Sequence, residues 1–315
     1  MMCSLRLSRF ASVLVSAILL LTAPINSSAA QQLALSASVG REVFFEGEPI
    51  YVVLQLTNAG PDTAWTWFFE ITPDGLDLTL QRPDSSVVPK FVMWIDRIFS
   101  TEWRGVPIAA GERQYLLLPL QSSLGESGLP GSAMFNRKIV AGSYTLGVRF
   151  HASVNRPTTL PDLVATPLRI EVRARTPDED RSFSEVERLM SEGWDRNTRP
   201  GFVSRLMALI KARVARDSLD PFAPFLVNEA VTTASAWGLP LSSTDSVDLR
   251  AARLTIARSQ RFLPSGAMVA VALVFDPESP KDLASQLGPS LAGEIATWQA
   301  QRRRRSGPII RPSDR

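Results

Sequence analysis

Between residues 33 and about 175, apolar and polar positions alternate with a period of two. Ile50, Val52, Leu54 and Leu56 alternate with Tyr51, Val53, Gln55 and Thr57, and Leu76, Leu78 and Leu80 with Asp77, Thr79 and Gln81. Tyr144, Leu146, Val148 and Phe150, then Leu168, Ile170 and Val172, repeat the pattern. Successive strand side chains point to opposite faces, so each segment predicts a strand with one apolar and one wetter face. Turn signals separate the segments: Glu46-Gly47-Glu48, Asn58-Ala59-Gly60-Pro61, Pro73-Asp74-Gly75, Ala110-Gly111-Glu112 and Ala141-Gly142. Short strands with no helical pattern between them predict an antiparallel β-sandwich.

After Arg175 the period changes. Thr176-Pro177-Asp178-Glu179 has the form of a capping box, with threonine as cap, proline at the first helical position and glutamate three residues on. Val203, Leu206, Met207, Ile210 and Val214 recur at three- and four-residue steps, the stripe of an amphipathic helix. Further helices are expected near 222–236, 246–261, 266–275 and 281–301, punctuated by Asp220-Pro221, Gly238-Leu239-Pro240, Phe262-Leu263-Pro264 and Asp276-Pro277. Helices joined this closely pack as antiparallel hairpins.

The run Glu46 to Asn58 resembles the second strand of bacterial immunoglobulin-like domains. Val140 to Phe150 resembles their penultimate strand, entered through a corner of glycine and then tyrosine, and Leu168 to Val172 would close the fold. The resemblance covers residues 33 to 175 and lacks the cysteine pair of antibody-type domains. It implies a fold and carries over no catalytic residue. The stretches Asp217 to Phe225 and Phe262 to Met268 each place proline and serine before a small, apolar helix. They are similar to the joints of tetratricopeptide-like repeats, although the consensus aromatic and alanine positions are not clearly met.

The first thirty residues bear on location. Arg6 and Arg9 precede an uncharged apolar run from Phe10 to Ala23, and Ser28-Ala29-Ala30 supplies small residues before Gln31. This reads as a secretory signal peptide, its apolar run too short to favour a membrane span. Cys3, the single cysteine, would leave with it. The expected domains are therefore a signal peptide (1–30), a β-sandwich (31–175), an α-helical hairpin domain (176–301) and a basic disordered tail (302–315). The expected location is extracytoplasmic: periplasm, cell surface or medium.

Net charge is +3, with 34 basic and 31 acidic residues. Six arginines fall in the last fourteen positions, so the body is slightly acidic and gives no reason to expect nucleic-acid binding. The run Arg302, Arg303, Arg304 and Arg305 would suit an anionic surface, or simply the negative end of a preceding helix.

Catalytic signatures are sparse. His151 is the single histidine, and no Gly-x-Ser-x-Gly, Ser-x-x-Lys or His-x-x-His pattern occurs. Gly125, Gly128 and Gly131 lack the Lys-Ser/Thr that a phosphate loop needs. Glu70, Asp96 and Glu102 would suit a glycosidase only as neighbours, which a sequence alone does not establish. No cofactor, metal site or catalytic residue is therefore expected.

Two binding candidates remain. Trp65, Trp67 and Phe69 share one face of a presumed strand, with Trp94 and Trp103 following, and could fill a core or stack on sugars. The eighteen-residue segment Gln121 to Lys138 is long for a strand connection and carries Leu129, Met134 and Phe135. These apolar residues would either dock on a partner or pack back on the sheet. The resulting expectation is a secreted, non-catalytic binding or scaffolding protein that acts through protein contacts in the envelope. The alternatives are a proteinase inhibitor using residues 121–138 and a carbohydrate-binding or carbohydrate-hydrolysing protein using Trp65 to Trp103.

Overall fold

The structure is a computed structural model. It describes residues 33–66, 75–90, 106–122, 124, 126–127, 137–152, 161–194, 201–236 and 241–274. The expected signal peptide, the helix expected at 281–301 and the arginine-rich tail lie outside the described residues.

The N-terminal part is built of antiparallel sheets. In chain order its strands are β1 (Leu33–Val39), β2 (Val43–Phe45), β3 (Tyr51–Asn58), β4 (Ala64–Thr66), β5 (Leu76–Gln81) and β6 (Val106–Ile108). They continue with β7 (Arg113–Pro119), β8 (Glu126–Ser127), β9 (Arg137–Lys138), β10 (Gly142–Phe150), β11 (Leu163–Val164) and β12 (Leu168–Arg173). One sheet runs β1-β3-β7. A second runs β11-β10-β12-β2, with β5 also paired to β10, and β4-β6 and β8-β9 form two-stranded sheets. Among the described residues every ladder is antiparallel except that of β12 with β2, which is parallel over Glu171 to Arg173 and Val43 to Phe45.

The alternation works as the sequence pattern requires. Val52, Leu54 and Leu56 of β3, Leu78 and Leu80 of β5, and Leu146, Val148 and Phe150 of β10 share one buried cluster. Burying each such side chain is worth about 1.5–3 kcal/mol. Tyr144 is buried and donates its hydroxyl to the Val140 carbonyl at 2.7 Å, which holds the corner ahead of β10.

The C-terminal part is helical: α1 (Pro177–Trp194), α2 (Phe202–Arg216), α3 (Ala223–Ala236), α4 (Ser243–Ser259) and α5 (Pro264–Val274). The capping box forms. Glu179 Oε2 accepts from the Thr176 amide at 2.8 Å, and Thr176 Oγ1 accepts from the Glu179 amide at 3.3 Å. Such a cap is worth about 1 kcal/mol. Leu206, Met207 and Ile210 are buried, with Val203 and Val214 packed against the same cluster. Ser242 caps α4 by accepting from the Asp245 amide at 3.0 Å. The two proline-serine joints meet: Gln260 donates to the carbonyls of Ser218 and Asp220 at 3.1 and 3.2 Å.

One expectation about β3 needs correction. Its second face was expected to be wetter, yet Tyr51 is buried, and Tyr115 and Leu117 of the neighbouring β7 pack against the helical cluster. The helices cover the outer face of the three-stranded sheet. The reason is compositional: both faces of Tyr51-Val52-Val53-Leu54 and Tyr115-Leu116-Leu117-Leu118 are apolar, as in strands buried on two sides.

Candidate functional site

The seam between sheets and helices is an aromatic stack. Phe45 of β2 lies 5.8 Å from Phe222, tilted by 56°, and Phe183 of α1 lies 6.2 Å from Phe222, tilted by 53°. Tilted pairs of this kind are the preferred aromatic geometry. Gly47 makes the approach possible: its φ is +82°, and a Cβ there would fall 2.4 Å from Phe183 Cε2. At the other margin, a Cβ on Gly40 would fall 2.7 Å from Pro264 Cδ.

Beside this stack lies an open cleft of about 1170 Å³ between β2, the first turns of α1 and the end of α2. Its walls carry charges of both signs, most of them paired. Arg173 forks onto Glu179, with Nη1 to Oε2 at 2.7 Å and Nη2 to Oε1 at 2.5 Å. The Arg173 hydrogen bonds, helped by those from Thr176, hold the Glu179 carboxyl down at about 2. Arg41 pairs with the buried Glu48, and Arg181 with Asp178. Desolvation, then the nearby Arg173 charge, lowers the Arg41 guanidinium.

Behind the wall, Arg213 is 1% exposed and lies over the Phe222 ring at 5.1 Å. Its Nε is 3.0 Å from Asp220 Oδ2, and its Nη1 is 2.9 Å from Glu185 Oε2. Asp220 also accepts from the Phe222 amide at 2.8 Å. A carboxylate held ionised by an arginine is an acceptor, so Glu179 is no proton donor near neutral pH. What the cleft offers is a set of fixed, opposed charges beside an aromatic floor, an arrangement that orients a polar chain.

Glu48 also closes the edge strand β2. Its Oε2 accepts from the Phe45 amide at 3.1 Å, and its own amide donates to the Phe45 carbonyl at 3.0 Å. Those backbone groups are therefore occupied and cannot pair with an added strand.

Of the residues expected to bind, Trp65 is half-buried on β4, between the buried Ala64 and Thr66. Trp67, Phe69, Trp94 and Trp103 lie outside the described residues. Leu129, Met134 and Phe135 also lie outside them, as do Glu70, Asp96, Glu102 and Arg302 to Arg305.

The base of the long connection is described. Glu126 and Ser127 pair with Lys138 and Arg137 in a two-rung ladder. Gln121 Oε1 accepts from the Ile50 amide at 3.0 Å, and Leu124 is buried. His151 is one-third exposed, with Nδ1 2.9 Å from Asp162 Oδ1. Among the described residues, no group of three His, Cys, Asp or Glu is placed to hold a metal ion. No described helix is long and apolar enough to cross a membrane.

The charged cleft was missed in the sequence because its parts come from residues 41–48, 173–188 and 213–222. The signal that existed was local: the doubly apolar runs in β3 and β7 announced a covering layer.

No family model and no curated protein matches the chain. Solved structures that share some similarity include the CARDB domain of the PF1109 protein of Pyrococcus furiosus, in complex with di-metal ions. It is 10% identical, with 48% of this chain and all of that chain covered and a TM-score of 0.26. The sporulation control protein Spo0M of Bacillus subtilis is 13% identical over 50% of this chain and 55% of that one, with a TM-score of 0.25. The β-glucosidase EmGH1 of Erythrobacter marinus is 14% identical, over 45% of this chain and 15% of that one, with a TM-score of 0.25. Likeness at this level adds nothing beyond the β-rich N-terminal part that the strand pairing already establishes.

Proposed function

We propose that the chain is an extracytoplasmic recognition protein without catalysis of its own. An immunoglobulin-like β-sandwich and a tetratricopeptide-like helical layer would form one binding body in the envelope. The observation that carries this reading is the open cleft at their seam, walled by oriented charge pairs on an aromatic floor. Sandwich edges and helical hairpins are both common recognition surfaces, and a seam between them is a common place for a ligand. The apolar leader and the absence of a sequence motif that signs a mechanism support the location and the lack of turnover.

Affinity capture from envelope extract tests it, with the exported protein as bait. The first control bait carries Arg188→Glu and Arg216→Glu, both on exposed residues of the cleft. The second carries Leu129→Ser, Met134→Ser and Phe135→Ser. One protein enriched by the wild type and lost with the cleft variant supports the reading. Equal capture by all three baits overturns the cleft as the contact, and no enriched partner overturns the recognition role.

A second reading, proteinase inhibition through residues 121–138, draws support from the ladder that closes the base of that connection. A protease panel decides it. Inhibition with cleavage mapping between Gly128 and Asn136 favours the inhibitor, and no inhibition removes it.

A further inference from the structure

Most charges lining the cleft are satisfied within the protein. Beyond the pairs of Arg41, Arg173 and Arg213, Arg175 Nε holds Asp180 Oδ1 at 2.8 Å, and Arg216 Nη2 reaches Asp220 Oδ2 at 3.8 Å. Two charges are left over. Arg188 of α1 and Asp217, which ends α2, line the cleft, are exposed and are opposite in sign. Among the described residues neither enters an ion pair. The Asp217 carboxylate is held by the Leu219 amide, which donates to its Oδ1 at 2.8 Å. It stands at the C-terminal end of α2, where backbone carbonyls add partial negative charge, so the position favours a cation.

The packing of α1 against α2 sets the spacing of the two charges. Arg205 meets Glu192 at 3.5 Å and Arg213 meets Glu185 at 2.9 Å, so the helices run antiparallel with Arg213 level with Glu185. Asp217, four residues past Arg213, is then level with residue 181, seven residues from Arg188. At 1.5 Å of rise per residue, the two charges stand about 10 Å apart along the hairpin. The arginines flanking the Asp217 level, Arg181 and Arg216, are turned onto Asp178 and Asp220. Val43 and Leu219, both exposed, add apolar surface to the same cleft.

We propose that the cleft docks an extended segment of a protein partner, with a basic side chain on Asp217 and an acidic one on Arg188. Three residues of polyproline II chain span about 9 Å and return to the same side, so the two groups would be three positions apart. That conformation needs no strand partner, which suits an edge where Glu48 already occupies the Phe45 amide and carbonyl. Prolines between the charged residues would lie on Leu219 and Val43, and opposed charges at the two ends would set the register. The groove at the seam's other margin, about 440 Å³ with the exposed Phe262 on its lip, has no carboxylate among its described lining residues. It offers the basic group no partner. The proposal rests on the recognition reading of the cleft and names the segment that the cleft would read.

The test titrates the exported protein into fluorescein-labelled Gly-Lys-Pro-Pro-Glu-Gly-amide and follows polarisation. Replacing both Lys and Glu of the peptide by Gln should weaken binding roughly tenfold, a change of about 1.4 kcal/mol. The respaced peptide Gly-Lys-Glu-Pro-Pro-Gly-amide should bind severalfold more weakly. Arg188→Gln and Asp217→Asn should each weaken binding severalfold with an unchanged circular dichroism spectrum, since Asn keeps an acceptor for the Leu219 amide. Asp217→Asn should also erase the preference for Lys over Gln in the peptide while keeping the preference for Glu, a coupling that altered packing would not produce. No binding of the peptide, equal affinity of the neutral or respaced peptide, or full binding by Arg188→Gln would each overturn the proposal. A captured partner that is lost with Arg188→Glu and Arg216→Glu yet is not displaced by the peptide would also overturn it, while leaving the recognition reading of the cleft intact.

Discussion

The two cores of this protein solve burial differently. The core between the sheets is almost wholly apolar, from Leu54 and Leu56 across to Leu80 and Phe150. The helical core is also apolar, but a buried arginine runs along its edge, with Arg213 on Asp220 beneath Phe222. A sheet presents one continuous apolar face, and its polar fastenings sit at its margins. There the buried Asn58 donates to the Asp62 and Ile108 carbonyls, and the buried Gln121 accepts from the Ile50 amide. Two hairpins meeting at proline-broken joints leave backbone groups without helical partners; Gln260 donates to the Asp220 carbonyl, and the Asp220 carboxylate accepts from the Phe222 amide. The difference is one of charge: the sheet core keeps its polar partners at the margins, whereas the helical core encloses an ion pair with both members buried. Loss of one partner should therefore be disproportionately expensive in the helical part.

Arg213→Ala should have the largest effect, because it strands a buried Asp220. The expected loss is about 3–5 kcal/mol in urea unfolding followed by circular dichroism. The double variant Arg213→Met with Asp220→Asn should recover most of that loss, since Asn keeps an acceptor for the Phe222 amide. A single variant no worse than an exposed substitution would break the comparison.

Leu54→Ala, in the apolar sheet core, is expected to cost about 2–5 kcal/mol. No second-site polar change should rescue it, whereas a neighbouring large-for-small substitution can. Measuring both variants in one unfolding series shows directly whether area and partner differ as argued.

A smaller effect sits between the two cores. Glu229 of α3 is half-buried, and desolvation raises its carboxyl from 4.5 to about 7. Burial raises the nearby Tyr51 phenol as well, with the Glu229 charge adding to it. A raised carboxyl pKa means that folding favours the protonated form. The associated stability is therefore complete below pH 4.5 and is lost as pH rises through about 7. Over that window the wild type should lose roughly 1–3 kcal/mol relative to Glu229→Gln, which should show a flatter pH profile of thermal unfolding. Parallel profiles for the two proteins would remove Glu229 as the source.

Much of the local architecture was readable before the fold was known. Thr176-Pro177-Asp178-Glu179 announces its capping box because the partners are three residues apart, and the hydrogen bonds form as that spacing demands. The Leu206, Met207 and Ile210 stripe and the Leu76, Leu78 and Leu80 alternation are legible for the same reason. The parallel pairing of β2 with β12 was not legible, since a three-residue strand carries too little pattern to choose a partner more than a hundred residues away. Both grooves at the seam were also hidden. The exposure of Phe262 follows only from where the α4–α5 joint falls on the sheet, and the pairing of Arg41 with Glu48 only from the turn at Gly47.

By itself the sequence determined the longer elements, among them β3, β5, β10, β12, α1 and α2, and one apolar face of each. Periods of two and 3.6 are written in neighbouring positions, and burial acts on them locally. Only the tertiary structure decided that the second face of β3 and β7 would be covered, that Arg213 would find Asp220 beneath an aromatic ring, and that one margin of the seam would carry a charged cleft. Those outcomes depend on distances between segments far apart in the chain, and no periodicity within a segment encodes them.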